Sequence, residues 1–286
     1  MSTILAGRFA PFLNSHVAAA RSARTIVITA AEAARSARLP WTAAERETMI
    51  RAALGDAAAG IDFIQVADDP YGETSPYGVD ESRDAEEAVC AAFFAGADDK
   101  VRSAVPPEVR AWMEDFRSAA DYSRLADEAR YVAGYKASWA ASPFPPMFIT
   151  VDTVITCTGH VLLIQRGGQP GRGLWATPGG FLDVHEPVQT SAIRELREET
   201  GLGLSDDEAK AALKGSRVFD DPHRSAIGRV VTHGFHFELS GSLPPVAASD
   251  DAREARWWPV ADLPKLRGQF HDDHAHILAW FLGRKA

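Results

Sequence analysis

The chain has 286 residues, 46% hydrophobic and 24% charged, the balance of a globular protein long enough for two domains. A net charge of −9 argues against a general binder of nucleic acid or of an anionic membrane, since either needs a basic surface. Cys90 and Cys157 are too few for a disulfide scaffold and lack metal-ligand spacing; no apolar run reaches membrane-spanning length and no signal-peptide pattern opens the chain, so the expected setting is the cytoplasm.

The first half alternates strands with helices. Residues 3–6 read as a strand, 7–11 as a turn, and an alanine-rich helix starts near Ser15. Residues 25–29 form a second strand and 42–54 a second helix, which Thr42 and Glu45 open with capping-box spacing. A third strand covers 61–66, and this alternation predicts parallel βαβ units. Residues 68–83 are rich in Gly, Pro, Asp and Ser and read as a loop; helical patterns follow over 84–95, 107–117 and 121–140. The run SPFPP at 142–146 breaks the helix and marks a boundary. Beyond it, 148–155 alternates as a strand, 161–164 is a short buried strand and 178–180 a turn. Pro187 suits the first turn of a helix that ends at Gly201, where a positive φ is needed. Strands at 215–219, 228–239 and 256–260, a Gly/Pro/Ser loop at 240–251 and a helix at 271–282 complete the chain.

The most informative stretch is GGFLDVHEPVQTSAIRELREETGL at 179–202. On a helix advancing about 100° per residue, Glu195, Glu198 and Glu199 stand at i, i+3 and i+4 on one face. Three carboxylates crowded together repel one another. A hard divalent cation relieves that repulsion, and Mg²⁺ binds through a few carboxylates plus substrate phosphates. The spacing also resembles the Nudix box in every fixed position: Gly180, five residues, Glu186, seven residues, then Arg194, Glu195, an aliphatic residue, Glu198, Glu199 and Gly201. The resemblance implies Mg²⁺ or Mn²⁺ held by Glu195, Glu198 and Glu199 with the Gly179 carbonyl. Glu186 and Arg194 would form a structural ion pair. For the general base, Glu198 is one candidate; Asp250, Asp251 and Glu254, on and after the 240–251 loop, are others.

A second resemblance lies in the first half. GRFAPFLNSH at 7–16, between a strand and a helix, resembles the nucleotide-binding start of archaeal-type nicotinamide-mononucleotide adenylyltransferases, and LPWTAAERETMI at 39–50 resembles that family's second stretch. Followed by YKASW at 135–139 and the Nudix box, the order resembles the bifunctional adenylyltransferase/Nudix proteins of NAD metabolism. Gly7, Arg8 and His16 remain of the first motif, but Leu13 replaces its first histidine, Ser15 its glycine, and Cys90 stands where a phosphate-binding arginine belongs. The span after Val66 is also short for the strands expected there. A lost cation and a lost donor cost a phosphate site several kcal/mol, about the loss of one or two oxyanion donors. The first half is therefore expected to be a relic without adenylyltransferase activity.

The expected architecture is a shortened Rossmann-like α/β domain over 1–120, a helical connector over 121–145 and an α+β Nudix domain, an α/β/α sandwich with a mixed sheet, over 146–286. VFDDPHRSAIGRVVTH at 218–233 resembles the stretch that marks ADP-ribose-acting Nudix domains, keeping Arg224, Gly228 and Arg229 of the common form. Arg224 is a candidate phosphate ligand, Arg229 either that or a structural ion-pair residue, and Phe219 and Trp175 candidates for stacking on adenine. Trp257 and Trp258 point to opposite faces of their strand, and His274 matches a histidine of the family's tail. The expected function is metal-dependent hydrolysis of ADP-ribose to AMP and ribose 5-phosphate by a homodimer with a small nucleotide substrate and no nucleic-acid or membrane partner. The alternatives are a non-catalytic sensor of a NAD metabolite, a Nudix hydrolase of NADH, dinucleoside polyphosphates or nucleoside triphosphates, and a working bifunctional enzyme.

Overall fold

Short β-branched strands separated by alanine-rich helices build the first part of the chain. In the computed structural model, which describes residues 3–67, 82–249 and 251–283, β1 (Ile4–Gly7), β2 (Thr25–Ile28) and β3 (Asp62–Gln65) form a parallel sheet in the order β1-β2-β3. Most of the loop expected at 68–83, and Asp250, lie outside the described residues. The crossovers are α1 (Asn14–Ser22) and α2 (Ala43–Leu54), and the Thr42–Glu45 capping box is formed in both directions. Helices α3 (Arg83–Phe94), α4 (Asp98–Ala104), α5 (Pro107–Phe116) and α6 (Tyr122–Ser138) follow. They contribute Val89, Phe93, Val101, Val109, Met113, Phe116 and Leu125 to one core with Ile26, Ile28, Trp41, Met49 and Ile50. Arg46 of α2 is fully buried in this unit, its guanidinium donating to the carbonyls of Arg8, Thr29 and Ala30 at the ends of β1 and β2.

The chain divides into two compact units, Met1–Gly134 and Tyr135–Ala286, and the division falls inside α6. In the second unit, β4 (Met147–Cys157), β5 (His160–Arg166), β8 (Leu213–Phe219), β9 (Arg229–Leu239) and β10 (Ala252–Pro259) make a mixed sheet in the order β10-β5-β4-β9-β8, with β4 and β9 parallel. The β4–β5 hairpin pairs only through Thr156–Val161 and Cys157–His160, then opens. Two short strands pair with its arms, β6 (Trp175–Ala176) with β5 and β7 (Gly179–Phe181) with β4. Residues 178–180, expected as a turn, therefore enter a strand at Gly179. Three residues are too few to show a period of two, so the Pro-Gly-Gly signal dominated the sequence pattern.

Helix α7 (Val188–Thr200) buries Ala192, Ile193 and Leu196 against Val151, Ile155, Leu162, Phe235 and Phe237. Pro187 is its N-cap rather than a first-turn residue, and Gly201 ends it with a φ of 62°. A short helix, α8 (Asp206–Ala212), precedes β8, and α9 (His274–Phe281) packs against β4. Among the described residues no helix is long and apolar enough to cross a membrane.

Candidate active site

The site is assembled where β7 passes between β4 and the outer face of α7. Gly179 lies so close to β4 that a Cβ there would sit 2.1 Å from the Val151 carbonyl oxygen, and one on Gly180 would sit 2.7 Å from the Glu195 carboxylate. Backbone therefore excludes any Cβ at Gly179, whereas one at Gly180 would displace the Glu195 carboxylate. The approach lets the Gly179 N–H donate to Glu199 Oε2 at 2.8 Å. The preceding carbonyl, Pro178 O, accepts from the Thr153 N–H at 2.8 Å and from its hydroxyl at 2.9 Å.

The helix brings its three glutamates to this edge in different settings. Glu198 is exposed, Glu195 partly covered and Glu199 buried at 6% exposure. Burial pushes the Glu199 carboxyl up to about 8; the Gly179 N–H opposes this, the neighbouring Glu195 charge adds to it and Arg166 opposes it. Arg194 Nη1 donates to Glu195 Oε1 at 2.9 Å and to Glu198 Oε2 at 2.8 Å, so two carboxylates converge on one cationic nitrogen. Its Nε donates to Glu186 Oε2 at 2.8 Å, an oxygen that also accepts from the Ser191 hydroxyl at 2.7 Å. These two bonds, Arg194 first, hold the Glu186 carboxyl below its ordinary range.

Among the described residues no three carboxylate, imidazole or thiol groups stand close enough to share one ion. The donor chemistry nevertheless fits a hard divalent cation: oxygen ligands on one helix face, two already turned toward a positive charge, and a third buried beside Gly179. The fit requires Glu195 and Glu198 to exchange the guanidinium for the metal.

The other sequence candidates lie as follows. Arg224 is buried, its guanidinium paired in bidentate fashion with Asp273 (Nε to Oδ2 3.0 Å, Nη2 to Oδ1 2.8 Å) and 3.6 Å from Asp152. This pair occupies Nε and Nη2 of the guanidinium. Arg229 donates to the Asp220 carbonyl at 2.6 Å at the start of β9. Phe219 is buried against Trp280 and Phe281, and Trp175 packs edge-on to Trp258. Trp257 instead faces the α7 core and donates its indole N–H to Pro244 O. The Asp251 carbonyl accepts from Gly167 N–H, and the Ser249 N–H donates to the Glu199 carbonyl, so this loop runs past the end of α7; Glu254 lies on β10, 3.8 Å from Arg256. Asp152, Thr177 and Arg166 surround the site without any sequence motif to flag them. Asp152 shows only as a polar residue within an apolar strand, and that was the available signal.

In the first unit, His16 accepts the Leu13 N–H on Nδ1 at 3.0 Å, and its ring lies against Phe9 and Phe12. Leu13 belongs to the core. The Ala10 N–H, inside the turn that follows Gly7 and β1, donates to Glu86 Oε2 at 3.0 Å, so a carboxylate of the chain occupies that donor. Cys90, one helical turn beyond Glu86, is fully buried and donates from Sγ to the Ala10 carbonyl at 3.2 Å; burial, then the Glu86 charge, push its thiol well up. Arg8, Arg38 and Arg83 all approach Glu87 Oε1 at 3.5 Å.

Residues 147–281, within the second unit, match the NUDIX domain. The whole chain is similar in fold to two structures of a bifunctional NMN adenylyltransferase/ADP ribose pyrophosphatase from Francisella tularensis. Their TM-scores are 0.85 and 0.81 at 24% and 25% identity, each covering 98% of both chains; the second is complexed with AMP and a Mn ion. The chain is 36% identical over 118 residues to an ADP-ribose pyrophosphatase of Methanocaldococcus jannaschii, 41% of this chain and 65% of that protein. It is 28% identical over 134 residues to the NAD-capped RNA hydrolase NudC of Pseudomonas aeruginosa, 46% of this chain and 44% of that one. The chain thus spans 65% and 44% of the lengths of these two curated relatives.

Glu199 has a folded-state value of about 8, above its ordinary one, so its contribution to stability is complete below the normal carboxylate range and is lost as pH rises through about 8. Denaturant unfolding of the metal-free protein between pH 5 and pH 9 is expected to show that loss, amounting to a few kcal/mol, and Glu199→Gln is expected to remove it. Replacing Arg224 by Ala strands the buried Asp273 charge and is expected to lower unfolding free energy by about 3–5 kcal/mol. A surface phosphate ligand at that position would instead raise KM and leave the unfolding midpoint in place.

Proposed function

We propose that the chain is a divalent-metal-dependent pyrophosphohydrolase acting on ADP-ribose or a close nucleoside-diphosphate derivative. The observation that carries the proposal is the convergence of Glu195 and Glu198 on one cationic nitrogen beside the buried, Gly179-bonded Glu199. The substrate class is supported by the names of the relatives, an ADP-ribose pyrophosphatase among them.

When bound, Mg²⁺ or Mn²⁺ supplies neutralising charge for the diphosphate oxygens and lowers the pKa of water. Glu195, Glu198 and Glu199 would hold it, with the Gly179 carbonyl. The reaction adds water across the P–O–P bridge: an oxygen attacks one phosphorus, the bridging oxygen leaves with the other phosphate, and the two products are AMP and ribose 5-phosphate. Glu198, the glutamate open to solvent, would take the proton of the attacking water. Asp251, which is exposed, and Glu254 on β10 are the alternative bases among the described residues, Asp250 lying outside them. Arg194 keeps its bond to Glu186 as an anchor when the two metal-binding carboxylates turn away.

We further propose that the first unit has no adenylyltransferase activity. Leu13 turns its side chain into the core, and Glu86 occupies the Ala10 N–H with negative charge where an incoming phosphate would need a donor. Cys90 offers no cation.

An activity panel over ADP-ribose, NADH, diadenosine polyphosphates and nucleoside triphosphates with Mg²⁺ or Mn²⁺ tests the first proposal. ADP-ribose is expected to be turned over fastest, with Glu198→Gln and Glu199→Gln lowering kcat by roughly 100-fold or more, as removal of a key electrostatic group does. No turnover of any substrate, or turnover that survives both substitutions, overturns it. For the first unit, incubation with nicotinamide mononucleotide and ATP is expected to yield no NAD above a Leu13→Ala, His16→Ala control.

A further inference from the structure

Behind the glutamates, on the face of β4 opposite α7, lies a buried polar cluster that metal binding by itself does not account for. Its centre is Thr177, 1% exposed, on the short link between β6 and β7. The Thr177 hydroxyl donates to Asp152 Oδ1 at 3.0 Å, and Asp152 Oδ2 accepts from the Thr232 hydroxyl at 2.7 Å. The Thr177 N–H donates to His274 Nδ1 at 3.2 Å, and the same ring nitrogen stands 2.7 Å from Thr177 Oγ1. His274 opens α9 directly after Asp273, the residue that clamps Arg224. Asp152, Thr232, Arg224, Asp273 and His274 are all buried.

Three consecutive residues are thereby tied to three different parts of the unit. Thr177 is held by β4 and α9 through Asp152 and His274, Pro178 by Thr153 of β4, and Gly179 by Glu199 of α7. Stability alone is a poor reason for this arrangement, because a buried ionic cluster is often no more stable than apolar side chains of the same volume. What the cluster does provide is an unambiguous position for the link, set by directional bonds that water cannot replace at a closed site. The end of that link carries the amide that orients Glu199.

We propose that Asp152, Thr177 and His274 are positioning residues of the hydrolase site, fixing the 177–179 link so that the Gly179 amide sets the Glu199 carboxylate for metal binding. The inference rests on the hydrolase reading above and deepens it. Their role needs no contact with substrate: Asp152 holds the Thr177 hydroxyl, His274 the Thr177 amide, and both act through the link, as outer partners of metal ligands do.

The test uses the full chain and Mn²⁺ itself as the probe. Binding is read by electron paramagnetic resonance of free Mn²⁺, and turnover is measured with ADP-ribose. Thr177→Val keeps the shape and removes the hydroxyl; it is expected to weaken Mn²⁺ binding and lower kcat by about 10- to 100-fold, with KM for ADP-ribose changing far less. Thr177→Ser restores the hydroxyl and is expected to recover most of both. If Thr177→Val does not fold, His274→Asn and His274→Leu put the same question, since Asn retains an acceptor near the Nδ1 position and Leu does not. Mn²⁺ affinity and kcat unchanged in Thr177→Val, or equal loss in Thr177→Val and Thr177→Ser, would overturn the inference. A parent chain that binds no Mn²⁺ would instead defeat the hydrolase reading itself, and the two failures are read from different samples.

Discussion

The second unit depends on a steric constraint: β7 passes between β4 and α7 with no room for a Cβ at Gly179, and with a Cβ at Gly180 only if the Glu195 carboxylate moves. Any larger residue would collide with the Val151 carbonyl or with the Glu195 carboxylate. From this close approach come the opening of the β4–β5 hairpin, the pairing of β7 with β4, and the bond from the Gly179 amide to Glu199. The glutamates gain a fixed relation to the sheet because the backbone beside them has nowhere else to lie.

Charge is organised in two layers around that contact. On the outside, Arg194 gathers Glu186, Glu195 and Glu198, a set that reaches solvent through the exposed Glu198. On the inside, Arg224, Asp273 and Asp152 form a closed set, held in low dielectric where breaking one partner is costly. Glu199 stands between the layers, and burial pushes its carboxyl up to about 8 against the opposing effect of the Gly179 amide. The first unit shows the opposite outcome for a comparable strand–turn–helix element. There Glu86 supplies the turn amide of Ala10 with an anion from within the chain, and Leu13 and Cys90 close the surroundings with core packing.

Much of this was legible from residue order. The i, i+3, i+4 glutamates and Arg194 belong to one helix, which Gly201 ends and Glu186 just precedes, and local periodicity carries such information directly. The βαβ reading of the first half also follows from local pattern, and so does the capping box at Thr42. Helices α4 and α8, seven residues each, were not apparent, because two turns are too short for a periodic signal. The setting of Arg224 was not apparent either: its partner Asp273 lies 49 residues away and reads in isolation as an ordinary polar residue before a helix.

The sequence by itself determined the chemistry on offer, three in-phase carboxylates next to a Gly-Gly pair, since spacing along one helix is a property of the chain alone. It also determined that positions 13 and 90 carry no cationic group, because Leu and Cys bring the same side-chain chemistry wherever the backbone runs. Only the tertiary structure decided which charged groups are open and which are closed. Arg194 and Arg224 are both arginines beside acidic residues, yet one lies at a solvated helix face and the other beneath β4 and α9, and burial is set by what the fold stacks above each. Likewise Asp152, Thr177 and His274 meet only because β4, the β6–β7 link and α9 converge from positions 152, 177 and 274, a coincidence in space that no local spacing encodes.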